Sequence, residues 1–344
     1  MKDRITPILF AFLAAMFYAV NVPVSKILLE RVGPTMMAAL LYLGAGIGIG
    51  AISLFGRKNR APAEKLSKND LPYVIGMIAL DIAAPIFLMF GLIYGSSANA
   101  SLLGNFEIVA TTVIALFVFH ETVSRKLWAA IVLIVISSAL LSLEGTESFR
   151  FSYGSLFVLL ATVCWSFENN CTRKISSKST YEIVILKGVF SGLGSLVIAL
   201  IRRESLPQVT YFIGAILLGF VAYGLSIFLY VRAQNKLGAA KTSAYYAVAP
   251  FIGAFLSFVF LREQLSWRYG LSLVIMLAGS SLVVADTLLR NHTHEHTHTF
   301  THTHDGTSHT HTIAHTHMHN HYLTDEKHGH RHSLAELEAG HSHG

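Results

Sequence analysis

Four ionisable residues lie inside long apolar runs of the chain: Asp81, Glu107, Glu168 and Lys187. A charge at the centre of a bilayer costs about 2.5–3.5 kcal/mol even on the translocon-insertion scale. Each of the four therefore needs an oppositely charged partner, a water-filled cavity or neutralisation by a proton. Glu107 is the best placed of them for chemistry, because it lies near the middle of its run.

A second group of chemically active residues follows the last apolar run. Residues 292–344 contain 17 of the 18 histidines, mostly alternating with threonine, and few apolar residues, so we expect this tail to be disordered without a ligand. Neutral imidazole binds Zn, Ni, Co and Cu, and flexible His-x-His pairs supply several ligands at once. The expected metal ligands are His292, His294, His296, His298, His302, His304, His315, His317, His319 and His321. The alternative is a biased tail whose metal binding has no consequence.

The composition indicates which kind of protein carries these residues. The chain of 344 residues is 53% hydrophobic and only 13% charged, whereas soluble domains carry about 25% charged residues. The net charge of +6 does not indicate nucleic acid, because most Lys and Arg lie in short loops between apolar runs. No nucleotide loop, nucleophile elbow or metalloprotease helix is present, so we expect no enzyme and no required cofactor.

Ten apolar runs have the length that crosses a bilayer core, which predicts an all-α polytopic membrane protein in contact with lipid. The predicted spans are 6–29, 33–55, 71–93, 98–119, 126–143, 153–172, 181–201, 210–231, 239–261 and 268–289. Loops on one side hold 15 Lys and Arg and those on the other side hold 7, which predicts cytoplasmic termini in the inner (cell) membrane. Glycines at positions 44, 46, 48 and 50 predict a close helix crossing.

The apolar part contains an internal repeat. Residues 101–127 align without a gap with residues 243–269, and Glu121 and Ser124 match Glu263 and Ser266. Five spans per copy is an odd number, so the copies are expected to be inverted, as in secondary transporters whose site lies between the halves. The predicted units are a first repeat at 1–147, a second at 148–290 and the tail at 291–344.

The chain resembles the EamA branch of the drug/metabolite transporter superfamily over roughly residues 7–289. The resemblance rests on an aromatic-small-x-Asn segment ending at Asn21, the following Lys26, five plus five spans, and Glu-x-x-Ser before the last span of each half. Tyr18-Ala19 stands where Trp-Gly is usual. The resemblance implies a ten-helix exporter of small organic metabolites, amino acids or toxic compounds, driven by an ion gradient, with a central cavity. It does not specify the substrate.

The intramembrane residues then acquire expected roles. Glu107, with Asn105 nearby, is expected to couple proton movement to a substrate or to hold a cationic group of the substrate. The alternative is a structural ion pair with Lys187 or a capped interhelical hydrogen bond. Lys187 is expected to be a carboxylate partner, with extension to the cytoplasmic interface as the alternative. Glu168 matches Asn21 in the repeat and either lines the cavity mouth or belongs to the wet end of its span. Asp81 either has a functional role or stabilises a helix weakened by proline.

Three aromatic residues, Trp165, Tyr245 and Tyr246, are candidates for a wall against a ligand, with packing as the alternative. Together these observations predict a secondary transporter that exports a small organic molecule by proton or ion coupling. One alternative is a transporter linked to transition metals, which moves the metal ion or an organic metal chelator, with the tail sensing or feeding divalent ions. Another is a membrane-anchored metal store. The oligomeric state, with a homodimer as one option, stays open.

Overall fold

The computed structural model is built almost entirely of helices in its apolar part. It describes residues 2–55, 65–119, 124–144, 150–176, 178–237, 242, 245–263, 266–304 and 307–322. His120, Glu121 and residues 323–344 lie outside the described residues. The chain divides into two compact units, residues 1–284 and 285–344.

The helices follow the apolar runs. They are α1 Lys2–Ala19, α2 Asn21–Leu28, α3 Pro34–Phe55, α4 Leu71–Tyr94, α5 Ser97–Leu103, α6 Phe106–Phe119, α7 Arg125–Ser142, α8 Tyr153–Ile175, α9 Thr180–Leu186, α10 Gly192–Ile201, α11 Val209–Leu218, α12 Ser226–Leu237, α13 Ala249–Leu261 and α14 Trp267–Leu288. A 3₁₀ turn covers Lys68–Asp70, and two π-helical segments, π1 Lys187–Ser191 and π2 Gly219–Leu225, join α9 to α10 and α11 to α12. Strands β1 Leu143–Glu144 and β2 Arg150–Phe151 form a short antiparallel pair.

Seven helical stretches among the described residues are long and apolar enough to cross a membrane. They are Thr6–Leu28, Pro34–Leu54, Lys68–Tyr94, Arg125–Ser142, Thr180–Ile201, Val209–Gln234 and Trp267–Asp286. The predicted span 98–119 is divided into α5 and α6, and the predicted span 239–261 contains the shorter apolar helix Ala249–Leu261. The protein is therefore a multi-pass membrane protein, and the number of ten spans stays a prediction.

Helix α3 lies at the centre of the packing, against α10, α11 and both π-helical segments. Its glycines make this possible. A Cβ placed on Gly46 would lie 2.7 Å from the backbone nitrogen of Val189, and one on Gly44 would overlap the carbonyl of Ile216, whereas one on Gly50 would meet nothing within 4 Å. The predicted close crossing thus involves Gly44 and Gly46, and Gly50 is dispensable for it.

The matched serines of the internal repeat both begin helices. The Ser124 hydroxyl accepts a hydrogen bond from the Leu127 amide at 3.0 Å, and the Ser266 hydroxyl accepts one from the Tyr269 amide at 3.1 Å. Each serine satisfies one backbone donor that the first turn of a helix leaves free. Glu263 has a different task, because its carboxylate accepts hydrogen bonds from the amides of Ser97 and Ala98 at the start of α5.

The second unit differs from the sequence expectation. We expected a disordered tail, but the structure has two 16-residue strands, β3 Leu289–His304 and β4 Thr307–Tyr322, paired antiparallel over their full length. The physical reason is the alternating pattern. Threonine, which stands at many of the alternating positions, is β-branched and favours strands, and an Asp-Gly dipeptide, the sequence preferred in two-residue hairpin turns, separates the two segments.

Candidate functional site

Lys187 is the centre of a buried ionic cluster in the membrane unit. Its ammonium nitrogen lies 2.7 Å from Oε1 of Glu168 and 3.3 Å from Oδ2 of Asp81. The three residues come from π1, α8 and α4, and they are 5%, 2% and 0% exposed. Thr172, one turn after Glu168 on α8, donates its hydroxyl to the same carboxylate oxygen of Glu168. The charges are therefore paired with each other across three segments rather than solvated.

Tyrosines extend this cluster toward the first helix pair. The Tyr42 hydroxyl donates to Oδ1 of Asp81 at 2.7 Å, and the Tyr42 ring lies 5.0 Å from the ring of Tyr223, measured between centroids. Nδ2 of Asn21 donates to the Tyr223 hydroxyl at 3.2 Å, and the Ser25 hydroxyl donates to Oδ1 of Asn21 at 3.0 Å. Two hydrogen-bonded groups, one ending at Tyr223 and one at Tyr42, thus meet at the contact between these two rings. We call the whole set, which reaches from α2 to α8, the polar path.

The two π-helical segments carry members of this path. Lys187 is the first residue of π1, and Tyr223 lies within π2. A π-helical turn inserts an extra residue into a helix and redirects the side chains around it, and such turns are frequent at functional sites. Both segments pack against α3, which supplies Tyr42. The irregular turns and the close packing at the glycines of α3 together bring the ionisable and phenolic groups into one place.

Glu107 lies next to this cluster and is held differently. Its Oε1 accepts a hydrogen bond from Nδ2 of Asn169 at 2.5 Å, and its backbone carbonyl accepts one from the Ser166 hydroxyl at 3.1 Å. Glu107 is in the first turn of α6, directly after the break between α5 and α6. The free amides of a helix start favour a negative charge there. Among the described residues no lysine or arginine lies within salt-bridge distance of Glu107, so it differs from the paired acids.

Asn105 supports the break itself. It is 2% exposed, and its Nδ2 donates to the carbonyl of Leu102 at 3.4 Å within the same turn. Its contacts therefore satisfy the backbone where the helix is interrupted, and they do not reach Glu168 or Lys187. Asn105, which was predicted to be a polar neighbour of Glu107, thus makes a hydrogen bond to the backbone of its own turn instead.

Aromatic rings surround Tyr18 beside these polar groups. The Tyr18 ring centroid lies 6.4 Å from that of Trp165, 6.0 Å from Tyr223 and 5.9 Å from Tyr246. Trp165 and Tyr246 thus belong to the ring cluster around Tyr18. Tyr245 faces elsewhere, because its ring packs on Phe12 at 5.5 Å.

The structure brings together most of the residues predicted for the site. Asn21, Asp81, Glu168 and Lys187 lie on one polar path, and Glu107 joins α8 through Asn169, the residue after Glu168. Asp81 bonds Tyr42 and Lys187 rather than the helix backbone near Pro85.

The sequence reasoning missed Tyr42 and Tyr223. Both are at most 2% exposed inside apolar helices. The tyrosine hydroxyl was the signal in the sequence that could have indicated them, since a buried tyrosine normally needs a hydrogen-bond partner.

A pocket of about 580 Å³ lies apart from this site, and its lining residues are Ile86, Phe87, Phe90, Tyr94, Tyr153, Phe157 and Arg202. None of them belongs to the polar path. The predicted metal ligands of the tail lie on β3 and β4, where the backbone pairs several of them across the two strands. Among the residues whose side chains the structure describes, no group of three or more His, Cys, Asp or Glu is arranged to hold a metal ion.

Comparisons with known proteins show which proteins the chain is similar to. The model of the EamA-like transporter family matches twice, at residues 5–143 and 152–285. An uncharacterized transporter of Methanothermobacter thermautotrophicus is 26% identical over 288 residues, covering 77% of this chain and 82% of that protein. The uncharacterized transporter YcxC of Bacillus subtilis is 26% identical over 301 residues, covering 81% of this chain and 93% of that protein.

One crystal structure of a protein shares the fold. It matches with a TM-score of 0.60 at 16% identity, and the match covers 82% of this chain and 96% of that chain. At this identity the likeness concerns the fold alone.

Proposed function

Because the chain belongs to the EamA-like transporter family, we propose that it is a secondary active transporter that exports a small organic compound, amino-acid-like or toxic, by proton or ion coupling. The observation that carries the proposal is Glu107, a carboxylate in the first turn of α6 with an amide as its hydrogen-bond partner. An intramembrane acid without a cationic partner binds a proton or a cationic group more readily than one already in an ion pair.

The balance of charges supports coupling to a cation. Glu107, Asp81 and Glu168 contribute three carboxylates, and Lys187 contributes one ammonium. A surplus of buried negative charge is unfavourable in the membrane, so the site gains stability by taking up protons or a positively charged group of the substrate. In our proposal Glu107 exchanges the proton, while Lys187 pairs with Asp81 and Glu168.

The aromatic residues suggest which substrate groups fit. Tyr18, Trp165 and Tyr246 form a ring cluster beside the acids, and aromatic faces bind both apolar groups and ammonium groups. A compound with an ammonium group and an apolar part would satisfy both features. We therefore favour amino-acid-like or amine-containing compounds as the exported class.

The burial of the path supports an alternating mechanism. Asn21, Asp81 and Glu168 are at most 2% exposed, so the described arrangement is closed to water at these residues. Substrate reaches them only if helices move. The break between α5 and α6 resembles the interrupted helices that line transporter sites, and the twofold match of the family model agrees with two repeats moving against each other.

The proposal includes location and topology. We place the protein in the cell membrane with both termini in the cytoplasm, because the arginine and lysine count favours that side. Transport of a transition-metal ion by the spans is the weaker candidate, since the described helices offer carboxylates and amides but no histidine or thiol cluster.

Growth on toxic compounds tests the proposal. A strain that overproduces the wild-type chain is grown with a panel of amino-acid analogues, toxic amines and divalent metals, beside the Glu107→Gln variant. We expect resistance to one or more organic compounds, and we expect the variant to lose that resistance while its membrane content is unchanged. Resistance to metals alone would favour the metal-linked alternative. Resistance that Glu107→Gln fully retains would contradict the role of Glu107.

A further inference from the structure

The second unit has a regular arrangement of histidines that the transport proposal does not use. Strands β3 and β4 pair in a register that sets His292 opposite His319, His294 opposite His317, and His296 opposite His315. A further pair, His302 and His309, follows nearer the turn. The histidines of the two segments, which alternate along the sequence, are thus matched across the strands.

This register sorts residue types between the two faces of the hairpin. Successive residues of a strand belong to opposite faces, and directly paired residues share a face. The even-numbered positions 292–304 of β3 therefore share one face with the odd-numbered positions 309–321 of β4. That face holds twelve histidines, and the other face holds mostly threonines. We call the first the histidine face.

We propose that the histidine face is a binding site for divalent transition-metal ions, centred on the three consecutive cross-strand pairs His292/His319, His294/His317 and His296/His315. Paired residues in an antiparallel ladder have Cα atoms about 4.5–5.5 Å apart, and residues two apart on one strand are separated by about 6.4–6.8 Å. The backbone register thus brings four histidine positions of two neighbouring pairs close together on one face, and four is the number of ligands that Zn²⁺ takes in tetrahedral sites.

The composition of the face specifies the class of ion. Positions 292–298 and 315–321 of the histidine face contain only histidine, whereas the acidic Glu295 falls on the opposite face. Imidazole nitrogens suit Zn²⁺, Ni²⁺, Cu²⁺ and Co²⁺, whereas Ca²⁺ and Mg²⁺ need oxygen ligands. The site therefore binds zinc-like ions and discriminates against calcium and magnesium.

The register makes this inference different from metal binding by a flexible tail. A flexible tail binds through any His-x-His unit, and its affinity depends on how many such units exist. A paired hairpin requires the histidines of both strands to be on the same face. Changing the face without changing the number or spacing of histidines separates the two cases.

Titration of the purified full-length chain with Zn²⁺ and Co²⁺ tests the site. The variant H315T/T316H/H317M/M318H/H319N/N320H/H321Y/Y322H keeps the composition and the His-x-His spacing of this segment but moves its four histidines to the other face. We expect the dissociation constant of the first Zn²⁺ to rise about tenfold or more, because the two strands no longer bind one ion together. We also expect the intense visible absorption of tetrahedral Co²⁺ to weaken. Unchanged affinity and unchanged spectra would overturn the proposal.

A second comparison is a control for the case in which the first variant disrupts the hairpin. H294N/H317N removes one cross-strand pair, and H298N/H311N removes one histidine from each strand at positions that are not paired with each other, since His298 pairs with Ile313 and His311 with Phe300. Both changes remove two histidines from the histidine face. We expect only H294N/H317N to weaken binding of the first ion. Equal effects of the two double variants, or a wild-type chain that binds Ca²⁺ as tightly as Zn²⁺, would refute the site.

Discussion

The Nδ2 atom of Asn169 lies 2.5 Å from a carboxylate oxygen of Glu107, while the preceding residue on the same helix, Glu168, is paired with Lys187. Two acids from different helices thus meet at neighbouring positions of α8, and they have different partners. An ammonium group stabilises a carboxylate charge more strongly than an amide donor does, so the acid held by an amide is the better candidate for proton exchange. This difference is the structural basis for assigning coupling to Glu107.

Replacing Asn169 tests the hydrogen bond directly. Asn169→Ala removes the donor to the Glu107 carboxylate, and hydrogen bonds to charged groups contribute about 1.5–3 kcal/mol. If that bond positions Glu107 during transport, the transport rate should fall about 10- to 100-fold. The matched control is Asn170→Ala, whose side chain donates to the Ser166 carbonyl within α8. Equal rates for the two variants would show that the contact is not used.

Lys187 is expected to be essential for folding as well as for transport. Lys187→Met leaves Asp81 and Glu168 buried without their cation, and breaking a buried pair in this way costs about 3–5 kcal/mol. The melting temperature in detergent should fall sharply. The triple variant D81N/E168Q/K187M removes all three charges, so it should recover stability but not transport. Transport by the triple variant at the wild-type rate would mean that the ionic cluster has no functional role.

The phenol of Tyr42 is predicted to stabilise Asp81. Tyr42→Phe removes a buried hydrogen bond of 2.7 Å and leaves a carboxylate oxygen short of a donor, which costs about 1–3 kcal/mol. Thermal unfolding in detergent measures the loss. Tyr153→Phe is the control, because Tyr153 is 75% exposed. A Tyr42→Phe protein as stable as the control would remove Tyr42 from the network.

The crossing of α3 with π1 gives a packing prediction. Gly46→Ala would force a methyl group to within 2.7 Å of the Val189 nitrogen, whereas Gly50→Ala meets open space. Overpacking of this kind costs about 1–3 kcal/mol, so only the first substitution should lower the melting temperature and the transport rate. If Gly50→Ala is the more damaging of the two, the described crossing is wrong.

The sequence was informative about which residues need partners but not about which partners they have. Lys187 was expected to pair with a carboxylate, and it pairs with Asp81 and Glu168. The bond between Tyr42 and Asp81 was not foreseen. Hydropathy and spacing show that a group is buried. The choice between several buried acids depends on how α3, α4, α8 and π1 pack, and no local pattern encodes that arrangement.

The tail carries two sequence signals that disagree. Low hydrophobicity in the tail predicted disorder, because such a segment buries too little apolar surface to compensate for ordering the chain. The alternation of histidine with other residues, chiefly threonine, and the dipeptide Asp305-Gly306 are both hairpin signals. Composition and periodicity gave conflicting predictions here, and the structure follows the periodicity.

The proton-coupling role of Glu107 is the central claim, and vesicle transport measures it most directly. Everted membrane vesicles receive an imposed pH gradient and a compound to which the wild-type chain gives resistance. Initial rates of uptake of this compound are then compared for wild type, Glu107→Gln and the exposed control Glu30→Gln. We predict that Glu107→Gln abolishes the dependence of the rate on the pH gradient while Glu30→Gln retains it. A Glu107→Gln protein that transports at the wild-type rate with the same dependence on pH would contradict the account.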